Sequence, residues 1–205
     1  MKTIKLLLVS SLLFLFLSGY QAKACNQGYA QTTITLSILG CDYDVTICYK
    51  CGVSYPGDII LSSYVKKPTP PCSHPPGTTP QAIFDEIIKQ LSDGPSIFIL
   101  CPSPIPPCSV NPSLYFTYTV TVPVCWQKYN DNGNMVFQVC STSTAECQQT
   151  VRVCRSPDGK INKTFGPWTP IGQPNCPDLE VDVDDPTNSG DTSGCFHFVN
   201  VCYNP

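Results

Sequence analysis

Apolar and polar residues alternate with a period of two over much of the chain. Gln31 to Leu39, QTTITLSIL, sets Ile34, Leu36 and Ile38 against Thr33, Thr35 and Ser37, which predicts a strand with one buried face. After Gly40, the segment CDYDVTIC places Cys41, Tyr43, Val45 and Ile47 on one face and Asp42, Asp44, Thr46 and Cys48 on the other. Its cysteine spacing recurs in CQQTVRVC, Cys147 to Cys154, and in CFHFVNVC, Cys195 to Cys202. In all three the first cysteine shares a face with the aliphatic residues four and six positions on, and the second cysteine points the other way. One type of strand is therefore expected three times. CPSPIPPC and CSTSTAEC keep the spacing without the alternation, so they read as connections.

The period changes to that of a helix only in TPQAIFDEIIKQLSDGP. Ile83, Phe84, Ile87, Ile88 and Leu91 form one apolar stripe, with Asp85, Glu86 and Lys89 outside it. Thr78 or Thr79 can cap its start, Pro80 suits the first turn and Gly94-Pro95 stops it. Proline clusters from Lys66 to Pro80 and from Pro102 to Pro112. Lacking a ladder donor, these stretches should be extended surface connections. SIFIL, ending at Leu100, reads as a buried strand.

The second half reads as hairpins. Asn132-Gly133 predicts a type I′ turn that puts Asp131 opposite Asn134 and Cys125 opposite Cys140. That register gathers Val120, Val122, Val124 and Trp126 on the face of Met135, Phe137 and Val139. Ser156-Pro157-Asp158-Gly159 predicts a second turn, joining TVRVCR to KINKTF. The fold expected is mainly β, a disulfide-crosslinked sandwich or two small β-sheets with one packed amphipathic helix. Residues 25–112 would form a β-rich half with Pro-rich loops and the helix, and 113–205 a half made of hairpins. A domain boundary would fall near Pro112, and one continuous sheet system is the alternative.

Residues 1–24 read as a secretory signal peptide: Lys2 and Lys5, an apolar run from Leu6 to Leu17, then Ala22-Lys23-Ala24. The run is shorter than the ~20 residues that span a bilayer, and no later segment reaches that length. Cleavage would leave Cys25 first. Lipidation there would leave an odd number of the 14 cysteines, so an unmodified start is expected. Export places Cys25, Cys41, Cys48, Cys51, Cys72, Cys101, Cys108, Cys125, Cys140, Cys147, Cys154, Cys176, Cys195 and Cys202 where disulfides persist. Cysteines seven apart on one strand lie about 23 Å from each other, too far for a disulfide, which tolerates ~4.4–6.8 Å. Each repeated strand should thus be stapled to two different neighbours. A bond between Cys125 and Cys140 is sterically permitted by their register.

Charge and inventory narrow the function classes. A formal net charge of −3 with 13% charged residues lacks the basic footprint that nucleic acid requires. Cys48-Tyr49-Lys50-Cys51 has redox or zinc spacing, but it ends a strand rather than starting a helix and no second CxxC follows, so structural disulfides are expected. The only histidines are His74 and His197, and GVSYPG misses the nucleophile-elbow spacing. The carboxylates Asp42, Asp44, Asp58, Asp85 and Glu86 carry nothing in sequence that fixes a glycosidase separation. No enzyme and no cofactor is expected.

Asp178 to Gly194 is acidic and offers Asp182, Asp184 and Asp191 as weak calcium candidates, yet Pro186 interrupts the EF-hand pattern, and a solvated flexible loop is expected. Trp126 falls on the core face. Trp168, in GPWTPIG, is the candidate exposed binding residue. Asn162-Lys163-Thr164 is a glycosylation sequon, relevant only in a eukaryotic host. The expectation is a secreted or cell-surface structural or adhesive protein, self-associating through β edges. The alternative is an extracellular binding module for glycans or proteins, including an inhibitor that presents a Pro-rich loop such as CPSPIPPC.

Overall fold

The computed structural model describes residues 25–52, 57–93, 100–101, 104–199 and 202. The signal-peptide segment, most of SIFIL, and Asn200 and Val201 of the third repeat lie outside them. The chain is mainly β, with ten strands and one long α-helix among the described residues, and its 14 cysteines form seven disulfides.

β1 (Ala30–Ile38) and β2 (Cys41–Lys50) form an antiparallel hairpin with Ile38 opposite Cys41. Leu39 belongs to the turn and not to the strand, because Leu39 and Gly40 both take positive φ, 49° and 84°. The same pair of values recurs at Asn132 and Gly133, 52° and 88°, between β5 (Cys125–Asp131) and β6 (Asn134–Val139). Both are type I′ turns. The second follows the Asn-Gly signal and has the register read from sequence, Asp131 opposite Asn134 and Trp126 opposite Val139.

All ten strands connect through β3 (Gly57–Lys66). One edge of β3 is taken by β2. The other edge is shared: Gly57–Ile60 pairs in parallel with β4 (Phe116–Pro123), while Ser63–Val65 pairs antiparallel with β6. The sheet therefore forks. One arm runs β4, β7 (Glu146–Arg155), β8 (Ile161–Ile171); the other runs β6, β5, β10 (Phe196–His197), β9 (Asp178–Leu179). Hydrogen bonding thus passes continuously from strands before Pro112 to strands after it, and the layers are arms of one branched sheet.

The single run expected from Val120 to Trp126 is broken at Val124. β4 ends at Pro123, whose missing N–H suits a strand end, and β5 starts at Cys125 in the other arm. Helix α1 (Pro80–Asp93) is capped by Thr79, whose Oγ1 accepts from the Ala82 N–H at 3.2 Å. It buries Phe84, Ile87 and Leu91 of its apolar stripe. Around it an aromatic cluster closes: Phe84 stacks on Phe198 at 4.2 Å, meets Trp126 edge-on at 5.4 Å, and Tyr64 stacks on Phe137 at 4.9 Å.

None of the three repeated segments carries an internal disulfide. Cys48 bonds Cys25 and Cys41 bonds Cys72; Cys154 bonds Cys108 and Cys147 bonds Cys202. Cys140 pairs with Cys195 and Cys125 with Cys176, although the Cys140 N–H donates to the Cys125 carbonyl at 2.9 Å. Adjacency in the ladder therefore did not decide that pairing. Cys51 bonds Cys101.

In β2 and β7 the first-cysteine face is the buried one, as the alternation predicts. The third segment corrects the expectation. Among its described residues only Phe196 and His197 are strand, and the buried side chains are Phe196 and Phe198, one position out of step with the expected face. Two phenylalanines outcompeted Val199 for the core, since an aromatic ring buries more apolar area than valine.

Candidate functional site

The site begins with an irregularity in β8, which among the described strands is an edge strand paired with β7. Val151 pairs with Phe165, and two residues earlier Gln149 pairs with Trp168, three residues further on. The extra residue on β8 is a bulge. Without it, side chains three apart would point to opposite faces; with it, Phe165 and Trp168 oppose two residues of the same face and turn to the same side. Gly166 permits the bend, because a Cβ there would approach the Thr150 carbonyl to 3.2 Å. The sequence signal was present in Gly166-Pro167, within TFGPWTP, but a period-two reading carries no information about bulges.

These two rings form one wall of a cleft of about 740 Å³, within the ~300–1,000 Å³ range of ligand sites. Another side is α1, with Ile88 and the buried Ser92, and Val199 also lines the cleft. The floor is Val122 of β4 and Cys147 and Gln149 of β7. Phe165 remains 43% exposed, which is unusual for a ring on a chain that buries Trp126, Phe196 and Phe198 almost completely. Gln149 is buried and donates from Nε2 to the Gly166 carbonyl at 3.1 Å, fixing the bulge. The Cys147–Cys202 disulfide anchors the C-terminal segment to the floor.

Carboxylates enter from the helix side. Asp85 accepts from Gln81 Nε2 at 2.8 Å, and burial pushes its carboxyl pKa up against the smaller opposing effect of that bond. Glu86 and Lys89 pair at 3.2 Å, largely in solvent. Lys163 Nζ donates to the main-chain carbonyl of Asp93, at the C-terminus of α1. Burial holds the Lys163 ammonium below its usual range, with Asp93 working in the opposite direction.

The sequence candidates are scattered. Trp168 lies in the cleft, half-buried, and Trp126 is in the core with its indole Nε1 donating to the Pro123 carbonyl at 2.7 Å. Cys48 and Cys51 of the CxxC go to different partners, Cys25 and Cys101. His74 stacks on Tyr43, its Nε2 at 2.8 Å from the phenol oxygen, and His197 Nδ1 lies 3.0 Å from the Cys176 carbonyl. Asn162 of the sequon is exposed at the start of β8.

The acidic segment is largely solvent-exposed, as expected, but it is tied to β5 rather than loose. Lys128 of β5, its side chain 5% exposed, holds Glu180 and Asp185 at 2.8 Å each and donates to the Val183 carbonyl at 2.8 Å. Asn130 holds the Pro186 and Thr187 carbonyls. Three acceptors match the three donors of the ammonium, which satisfies a charge that would otherwise be costly to bury. Burial lowers the Lys128 pKa, but its hydrogen bonds to Asp185 and Glu180 outweigh this and leave it raised. Asp182, Asp184 and Asp191 are exposed, and Asp191 accepts from Asn188 Nδ2 at 2.9 Å. Among the described residues no group of three or more His, Cys, Asp or Glu is placed to hold a metal ion. Compared with known proteins, the chain matches no family model, no curated protein and no solved structure.

Proposed function

We propose that this chain is a secreted or cell-surface binding protein whose contact surface is the cleft between α1 and β8. The observation that carries the reading is the bulge at Gly166, which turns Phe165 and Trp168 to one side and leaves Phe165 exposed and Trp168 half-buried on a frame stapled by seven disulfides. Rings held ready in a rigid wall lose little conformational entropy when a ligand covers them. The test is retention of the oxidised protein on arrays of extracellular glycans and peptides. Binding that falls at least tenfold in Trp168→Ala, with the disulfide map unchanged, supports the reading; binding unaffected by the substitution contradicts it.

A second reading, a structural protein that self-associates through sheet edges, is favoured by β1. Among the described strands it pairs only with β2, and it carries no lysine or proline of the kind that blunts an edge, although Gln90 Nε2 donates to its Ser37 carbonyl at 2.9 Å. Concentration-dependent polymers in sedimentation, abolished by Thr33→Pro, would support this second reading, and a monodisperse monomer would contradict it.

A further inference from the structure

The cleft is apolar on the β8 side and acidic on the α1 side, and both sides favour the same kind of occupant. Aromatic faces attract cations through their quadrupoles. The helix contributes Asp85 and Asp93, two turns apart, with Lys89 between them tied to Glu86. Asp93 stands in the last turn of α1, where the macrodipole disfavours a carboxylate; the turn itself holds no basic residue, and the nearby cation is Lys163 of β8. The helix end already binds one ammonium, since Lys163 Nζ sits on the Asp93 carbonyl. Asp85 is held by a neutral amide alone and is partly desolvated, as the upward push on its pKa records.

Resting on the binding role of this cleft, we propose that its ligand is a protein segment that presents a lysine or arginine beside an apolar side chain. The apolar group lies against Phe165 and Trp168, and the cation reaches toward Asp85 and Asp93. Two carboxylates and two ring faces on one wall-to-wall gap are complementary to that combination. A neutral apolar ligand would leave Asp85 desolvated without a partner, and an acidic one would be repelled.

The experiment is selection of a displayed random peptide library on the immobilised, oxidised protein, with recovered peptides then measured against three variants. The expected result is enrichment of sequences with Lys or Arg next to Phe, Leu, Ile or Trp. Their affinity should fall at least tenfold in Asp85→Asn/Asp93→Asn and in Trp168→Ala, stay within twofold in Lys50→Ala, and weaken as salt rises. Peptides that depend on Trp168 but not on the carboxylates, or that carry no cation, overturn the ligand class and leave the cleft as a binding site. Peptides indifferent to Trp168, or no enrichment at all, overturn both. Because Asp85 and Asp93 are exposed and the asparagine variants keep their shape, loss of fold does not confuse the outcome.

Discussion

The two arms of the forked sheet carry similar apolar material and treat it differently. On the β6–β5–β10–β9 arm the chain covers itself: Phe196 and Phe198 close over Trp126 and Phe84, and the acidic segment folds onto β5 around Lys128. On the β4–β7–β8 arm, Phe165 and Trp168 line an open cleft beneath the same helix. Folding alone rewards the first arrangement, because covered rings gain burial energy. The second leaves that gain to be made by something else. The difference separates a region organised for stability from one organised for contact.

The largest effect should come from opening the closed arm. Phe84→Ala removes the ring that joins Trp126 to Phe198 and should lower stability by about 3–5 kcal/mol, measured by denaturant unfolding with disulfides intact. Trp168→Ala on the open arm should cost about 1–2 kcal/mol by the same measurement. Equal losses would erase the contrast.

Lys128→Ala should follow, at about 3 kcal/mol, because it strands buried Glu180 and the Val183 carbonyl without their donor. Hydrogen exchange in residues 178–194 should then rise well above the rest of the sheet. If exchange there is already fast in the unaltered protein, the segment is not held as described.

Alkaline pH offers a graded way to weaken the same interior. The contribution of Lys128, whose pKa is raised in the folded state, is complete below the unfolded ammonium value of ~10.4 and is lost as pH climbs through the folded value. Burial pushes the Tyr43 phenol up to about 12. Between the unfolded value of ~10 and that point the unfolded chain ionises and the native chain does not, so stability falls. Both groups act in one direction. A pH series of unfolding midpoints should decline from about pH 10 upward, and a flat series would contradict the assignment.

The smallest effect concerns the two type I′ turns. Leu39 occupies the first central position, with φ 49°, that Asn132 fills with φ 52°. A left-handed conformation costs a β-carbon-bearing residue roughly 1–2 kcal/mol and asparagine less. Leu39→Asn should therefore stabilise the chain by about 0.5–1 kcal/mol, whereas Asn132→Leu should lower it.

What the sequence revealed and concealed follows from the same physics. Period-two alternation located β2 and β7 and predicted that the faces carrying Tyr43, Val45 and Ile47 and carrying Val151 and Val153 are buried, because burial on one face dictates that pattern. Asn132-Gly133 gave its register since few residue pairs accept two positive φ values. Leu39-Gly40 concealed the first turn, because leucine is a poor marker for a left-handed position. Cys195 to Cys202 concealed its buried face, because Phe196 and Phe198 alternate as well as Val199 and Val201 do. Lys128 and the acidic segment lie far apart in sequence, so their pairing could not be read from local composition. Trp168, read from the sequence as an exposed ring, is half-buried against the core, and that Phe165 joins it depends on one bulge.

Tryptophan footprinting tests the central claim most directly, since the chain has only two tryptophans, one in each arm. The native, oxidised protein is exposed briefly to a water-borne oxidant that attacks indoles, and each site is quantified by peptide mass. The open cleft predicts that Trp168 is modified readily while Trp126, fully buried, is modified only after unfolding. Protection of Trp168 equal to that of Trp126 would show that the cleft is covered by the chain itself, and the binding surface described here would not exist.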